Sequence, residues 1–261
     1  MSADAEVLAT PYAAASSGRR KAADLLRLFV TPALVAVALL GLYLYLQGRE
    51  LDVFEQRLLT MESIVDATTK HIRLALLAAL LVVLIAVPLG VLMTRPAARR
   101  LSPAVLAIAN VGQAAPALGV LVLLTIVFGV GFKIALVALV FHAVLPVLRN
   151  TIVGIEQVDG SLVEAARGMG LSNTQILRTV ELPLAVPVIL AGLRTALVIC
   201  VGLATIATFV NAGGLGDIIV AGIKLQRTPI LVVGGVMTAA IALTVDWLGG
   251  VIENVLRPRG I

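Results

Sequence analysis

Long apolar runs alternate with short polar stretches along this chain, and the alternation predicts its architecture. Apolar residues dominate over 28–46, 72–93, 104–128, 132–148, 186–210 and 230–248. A helix of about 20 apolar residues matches the hydrocarbon core of a bilayer. The six runs therefore predict an all-α, polytopic membrane helical bundle of about six spans. The fourth run is the least secure, since Lys133, His142 and Pro146 shorten its apolar stretch. All three are tolerated near a helix end or against a neighbouring helix.

Composition agrees. Hydrophobic residues make up 60% of the 261 residues, charged ones only 13%, and mean hydropathy is +1.06. That balance points to the bilayer and leaves no length for a second folded domain. Residues 1–27 read as a cytoplasmic tail, 28–256 as the transmembrane domain and 257–261 as a short cytoplasmic tail. No small-residue cleavage site follows the first run, so it is expected as a retained span.

The distribution of Arg and Lys sets the orientation. Arg19, Arg20, Lys21 and Arg27 precede the first run, Arg95, Arg99 and Arg100 follow the second, and Arg257 and Arg259 close the chain. Those ends belong inside. The segment from Arg49 to His71 is more acidic and falls outside. Six crossings then place residues 160–183 in the cytoplasm. The formal net charge of +5 follows from this asymmetry and from the pull of anionic inner-leaflet lipid, so it implies no nucleic-acid partner.

Absences narrow the chemistry. None of Lys21, Lys70, Lys133 and Lys224 follows a glycine, so no phosphate-cradling GxxxxGK[ST] loop exists. His71 and His142 lack Cys or carboxylate neighbours at ligand spacing, which speaks against a metal site. No catalytic constellation is evident, and Cys200 lies within an apolar run as packing.

The most informative segment is EAARGMGLSNTQILRTVELP, Glu164 to Pro183, a polar loop between two apolar runs. Small Ala165, Ala166 and Gly168 allow close helix approach, Gly170 can end a helix in a left-handed conformation, and Pro183 can start the next span. Its fixed positions are Glu164, Ala165, Ala166, Gly170, Val180, Leu182 and Pro183. The pattern resembles the EAA signature of ATP-binding-cassette importer permeases. That resemblance implies the type I importer transmembrane fold, and a role for Glu164, Ala165, Ala166, Gly168, Gly170, Leu182 and Pro183 in coupling to an ATPase. It also implies the partners: two ATPase subunits that carry the ATP and Mg²⁺, a second permease, identical or homologous, and an external substrate-binding protein. The chain itself is expected to bind no cofactor, to catalyse no reaction, and to sit among membrane lipid in the bacterial cell membrane.

Three stretches sharpen the resemblance. VLPVLRNTIVGIEQVDGSLVEAARGMGLSNTQILRTVELPLAVPVILAGLRTALV over 144–198, GLATIATFVNAGGLGDIIVAGI over 202–223 and ANVGQAAPALGVLVLL over 109–124 look like permeases importing glycine betaine, carnitine, choline and related osmoprotectants. Together they cover roughly half the chain. Ala117 departs from the serine that many members carry, and the N-terminal tail is longer. Aromatics are only 4% of residues, too few for a ready cation cage, so high-affinity capture is expected on the external binding protein.

Polar residues inside apolar runs are candidates for a translocation path: Asn110, Gln113, Thr205, Thr208 and Asn211, with Pro116 able to open the backbone beside the first two. Asn110 and Gln113 share a helix face and suit either a path or glue between helices, whereas the threonines suit glue better. The stretch Ala212 to Asp217 reads as a tight external turn before a short re-entrant helix. Arg194 and Asp246 are the charges deepest in apolar runs, and burying either alone is costly. They are expected to pair across the fifth and sixth spans as structural support. Two rivals stand beside this reading. One is a methionine-type amino-acid importer, and the other an ion-coupled secondary transporter, which needs more deep carboxylates than Asp246 alone.

Overall fold

A computed structural model describes residues 10–256, with side chains from Phe29 onward. Residues 1–9 and 257–261 lie outside the described residues; of the N-terminal tail expected over 1–27, residues 10–27 are already helical.

The elements in order are α1 (Thr10–Gln47), α2 (Val53–Leu58), α3 (Met61–Thr94), α4 (Ser102–Ala114), α5 (Ala117–Phe128), α6 (Phe132–Glu156), α7 (Gly160–Gly168), α8 (Asn173–Ile176), α9 (Leu182–Ala204), α10 (Leu215–Lys224) and α11 (Thr228–Leu256). Among the described residues there is no strand. Five helical stretches are long and apolar enough to cross a membrane: Phe29–Gln47, Met61–Thr94, Phe132–Glu156, Asn173–Ala204 and Thr228–Leu256. The shortened fourth run is thus a full helix, extended to Glu156 through Arg149, Asn150 and Thr151.

The third run is not one continuous helix. Over 104–128 it forms two helices, α4 and α5, bent by 96° across a break. The cause is Pro116, which offers no N–H and pushes Ala115 into extended backbone at φ −64°, ψ 141°. Counting the bent pair as one crossing restores six.

The second run also differs. Its helix starts at Met61, capped by Thr60, whose hydroxyl accepts from Ser63 N at 3.2 Å. Ala67, His71 and Leu74 are buried while Asp66 and Lys70 pair on the exposed side at 2.6 Å. This helical spacing carries α3 beyond the apolar run.

At the centre α6 packs against α9 and α3, and α11 joins α9, α10 and α1. Small residues let these backbones approach: a Cβ on Gly192 would sit 2.7 Å from the Pro146 carbonyl oxygen. Leu74, Val82, Leu139, Leu148 and Val201 fill the space between. Leu34, Leu80, Leu84 and Ile126 point outward, as lipid-facing side chains do.

Candidate functional site

The polar loop folds as two helices joined by one turn. Asp159 caps α7, its carboxylate accepting from Ser161 N at 2.9 Å. That hydrogen bond, together with the Ser161 hydroxyl, holds the Asp159 carboxyl below its ordinary value. At the other end Gly170 adopts φ +84°. Its N–H reaches Arg167 O at 2.9 Å and Leu171 N–H reaches Ala166 O at 3.2 Å, the paired bonds of a Schellman motif. Ser172 and Gln175 then cap α8 reciprocally. Both ends of α7 are therefore fixed, which makes it a rigid short rod.

Its faces differ. Ala166 is buried against the chain at 1% exposure, while Glu164, Ala165, Gly168 and Gly170 are exposed. A Cβ on Gly168 would meet nothing within 4 Å, so its smallness serves no packing within this chain. Leu162 and Met169 are exposed at 46% and 75%. With Ala165 they fall at i, i+3 and i+7 on one face, an apolar stripe open to solvent. Sequence reading missed Leu162 and Met169, although two large apolar residues seven apart in a polar loop are a readable signal.

The second half of the loop runs into the membrane without interruption. From Asn173 the chain passes through a π-helical turn, Leu177–Glu181, into α9. Pro183 is the second residue of α9, so it follows the helical start at Asn173 rather than opening the span. The π turn accommodates the backbone bond that Pro183 cannot make. Leu182 is half-buried beside it.

One ion pair ties this loop to the end of α3, and a second joins the segment after α3 to the end of α6. Arg95 Nη2 lies 2.6 Å from Glu181 Oε2, with the side chains 28% and 14% exposed. Arg99 Nη2 lies 3.4 Å from Glu156 Oε1, at the end of α6. Arginines that read as topology signals thus clamp both ends of the α6–α9 connection. Their partners lie several elements away in sequence, so no spacing rule points to them.

Deeper in the membrane the expected Arg194–Asp246 pair is present. Arg194 Nε and Nη2 each donate to one carboxylate oxygen of Asp246 at 2.5 Å, bridging α9 and α11. The geometry is bidentate, the form that best offsets the cost of removing both charges from water.

The tentative path residues divide into two groups. Asn110 is exposed on α4 and donates to Leu106 O at 2.8 Å; Gln113, one turn on, is half-buried next to the break at Pro116. His142, buried on α6, holds that break, with Nδ1 2.9 Å from Ala138 O and Nε2 3.2 Å from Ala115 O. A neutral ring donates to one of these carbonyls at a time. Thr205 and Asn211 lie elsewhere, at the far end of α9. Thr205 donates to Gly202 O at 2.7 Å, and Asn211 is an exposed left-handed residue at φ 58° in the turn before α10. Asn211 therefore lies in a turn rather than within a helical span. The expected turn is present at Gly213–Gly214, with φ of +77° and +111°, and a short helix, α10, follows it.

Comparison with known proteins bears on the whole arrangement. Residues 86–258 match the family described as binding-protein-dependent transport system inner membrane component. The chain is 43% identical over 190 residues to the carnitine transport permease protein OpuCD of Listeria monocytogenes, covering 72% of this chain and 84% of that protein. It is 41% identical over 194 residues to the choline transport system permease protein OpuBB of Bacillus subtilis, covering 74% and 88%. It is 39% identical over 212 residues to the osmoprotectant import permease protein OsmY of Salmonella typhimurium, covering 81% and 89%. Among solved structures it resembles an inward-facing MetNI methionine ABC transporter, with a TM-score of 0.65 at 24% identity over 74% of this chain and 95% of that one. A likeness at that identity speaks for fold alone. With its match over residues 86–258, its bundle of apolar helices and its close relatives, this chain belongs to the family of binding-protein-dependent transport system inner membrane components.

Proposed function

We propose that this chain is the membrane-spanning subunit of an ATP-driven importer for a compatible solute such as glycine betaine, carnitine, choline or proline betaine. The observation that carries the substrate class is identity of 43% and 41% to permeases named for carnitine and choline. The N-terminus lies in the cytoplasm, and the loop 160–183 faces the same side. Two ATPase subunits hold ATP and Mg²⁺, a second permease completes the pair, and an external binding protein delivers the solute.

The mechanical reading rests on α7. Its apolar stripe of Leu162, Ala165 and Met169 suits a cleft on an ATPase subunit, with Glu164 at its edge. Movement of α7 passes through buried Ala166 and the Glu181–Arg95 pair to α9 and α3, and through Arg194–Asp246 to α11. The break at Pro116, held by His142 and flanked by Gln113 and Asn110, is the point in the bundle that is able to change angle without breaking a continuous helix. The solute would pass beside it. A secondary transporter would need a free carboxylate in the membrane, and Asp246 is taken up by Arg194.

Uptake of labelled glycine betaine, carnitine and choline after a hyperosmotic shift tests the substrate class, in cells lacking this chain and cells with it restored. Restored uptake of at least one of the three supports the proposal. Restored uptake of methionine but of none of the three would overturn it.

A further inference from the structure

The break at Pro116 leaves one carbonyl outside both helices. Ala115 lies between α4 and α5, and the ladder of α5 starts with Val120 N–H on Pro116 O at 3.0 Å. The Ala115 carbonyl needs a partner from elsewhere, and His142 Nε2 meets it at 3.2 Å. The other ring nitrogen, Nδ1, lies 2.9 Å from Ala138 O, which as the i−4 carbonyl of α6 also takes the His142 backbone N–H. His142 is 4% exposed, so both nitrogens of a buried ring face acceptors at hydrogen-bond distance. Gly112 seats α4 on the neighbouring Phe141, where a Cβ would lie 3.0 Å from Cζ, and this brings α6 against the end of α4.

A neutral imidazole has one donor for these two acceptors. If it serves Ala115, the Nδ1 lone pair is left against the Ala138 oxygen; if it serves Ala138, the Ala115 carbonyl is left without that bond. An added proton removes the conflict, because an imidazolium donates from both nitrogens and charge strengthens each bond. We propose that His142 positions the elbow at Pro116 as a proton-operated latch. The neutral ring lets α4 and α5 change their angle, and the imidazolium, bonded to Ala138 O and Ala115 O together, holds them. Among the described residues, the elements packed on α6 bring no carboxylate to the ring. Neither α4, α5 nor the turn 206–210 has a titratable side chain. On α3, Glu62 lies in the exposed first turn, Asp66 and Lys70 pair on the exposed side, His71 bonds to Val201 O and Arg73 lies over the Phe132 ring. On α9, Arg194 is bound to Asp246, and Cys200 is a buried thiol. On α6 itself, Lys133 lies nine residues before the ring and Arg149 seven after, while Glu156 pairs with Arg99. The two carbonyls are therefore what the added proton meets. That the elbow moves during import rests on the function proposed above; the latch itself is read without solute or ATP.

The chain has two histidines, which supplies the test. The full chain, carrying a histidine-free affinity tag and an NMR-active nitrogen isotope in its histidines, is reconstituted in lipid vesicles. Ring nitrogen signals are recorded at about pH 8 and about pH 5.5, either side of the usual imidazole range. Loss of one ring's signals in His71→Gln or His142→Gln assigns them. Spin labels at Ile108→Cys on α4 and Ile126→Cys on α5, both exposed positions, report the angle between the helices in a Cys200→Ala background. At the lower pH both nitrogens of His142 should be protonated and hydrogen-bonded. The population of labels away from their main distance should then fall about fivefold, as the step from a neutral to a charge-assisted bond implies. His142→Gln, which keeps a donor but does not titrate, should show one population at both pH values. A ring that stays neutral at the lower pH overturns the latch, as does an equal fall in His142→Gln. Labels fixed at one distance at both pH values overturn the latch and the moving elbow together, whereas labels that move without responding to pH overturn the latch alone. The wild-type ring and labels remain decisive if His142→Gln fails to insert.

Discussion

Arg95 and Glu181, 86 residues apart in sequence, meet with Nη2 and Oε2 2.6 Å apart where α3 ends and α9 begins. Arg95 also donates to Thr94 Oγ1 at 2.9 Å, so its guanidinium is fixed on two sides. Both side chains are mostly buried, and removing one partner strands the other charge. Arg95→Ala and Glu181→Ala should each lower stability by about 1–3 kcal/mol. Thermal unfolding of the purified chain reads this, and the charge-exchanged double variant should recover part of the loss. Wild-type unfolding in both single variants would show that the contact carries nothing.

The pair Arg194–Asp246 makes a similar prediction deeper in the membrane. Asp246→Asn leaves a guanidinium in the apolar span with a neutral partner, and the expected loss is on the order of 2 kcal/mol. A double-mutant cycle with Arg194→Gln should return a coupling of about 1–3 kcal/mol. Additive single effects, with normal transport in Asp246→Asn, would remove the pair from the account.

Close packing of α6 on α9 leaves no room for a side chain at position 192. A Cβ there would lie 2.7 Å from Pro146 O and 2.8 Å from Asn150 Cβ. Gly192→Val should cost about 1–3 kcal/mol through backbone displacement and reduce assembled protein in the membrane. Gly168→Ala, open on all sides within this chain, should leave the isolated subunit's stability unchanged. If its uptake also falls, a partner surface is indicated at α7. Comparing expression, unfolding and uptake of the two variants checks both.

Acid should loosen α7 at its start. Asp159 accepts from the Ser161 N–H and hydroxyl, which lowers its carboxyl from the ordinary value near 4. The sign follows: the cap's contribution is present above the unfolded value and is lost as pH falls through the lower folded one. Amide exchange of Ser161 and Leu162, corrected for its intrinsic pH dependence, should lose protection below about pH 4. Asp159→Asn should keep a neutral cap that acid does not alter, and identical pH profiles for the two proteins would refute this.

Much of this was legible in sequence for physical reasons. Apolar runs must be helices because a bilayer offers the backbone no other partners. Two charges set deep in different runs, Arg194 and Asp246, had little alternative to each other. Gly170 announced its turn because few residues tolerate a positive φ. What escaped was long-range. Glu181 and Arg95 each have an ordinary local reading, a polar loop residue and an inside-positive flank, and only the packing of α9 on α3 joins them. Pro116 reads as an opening in the backbone, but no local signal places His142 of α6 against the Ala115 carbonyl beside the 96° bend. The first turns of α3 escape a reading by apolar runs because Glu62, Asp66 and Lys70 mask the helical spacing of Ala67, His71 and Leu74. Leu162 and Met169 fall outside the fixed positions of the motif.

The central claim is that α7 transmits ATPase movement through its exposed apolar stripe. The most direct measurement is solute-stimulated ATP hydrolysis and uptake by the reconstituted transporter carrying Met169→Glu, alongside Glu164→Arg. Both side chains are exposed, and Met169 closes the end of α7 through its backbone N–H, which a substitution keeps, so insertion and unfolding temperature should match wild type. The account predicts at least a tenfold loss of uptake in Met169→Glu with the fold intact, through a charge placed against an apolar cleft. Wild-type uptake and hydrolysis in a correctly inserted Met169→Glu protein would contradict it.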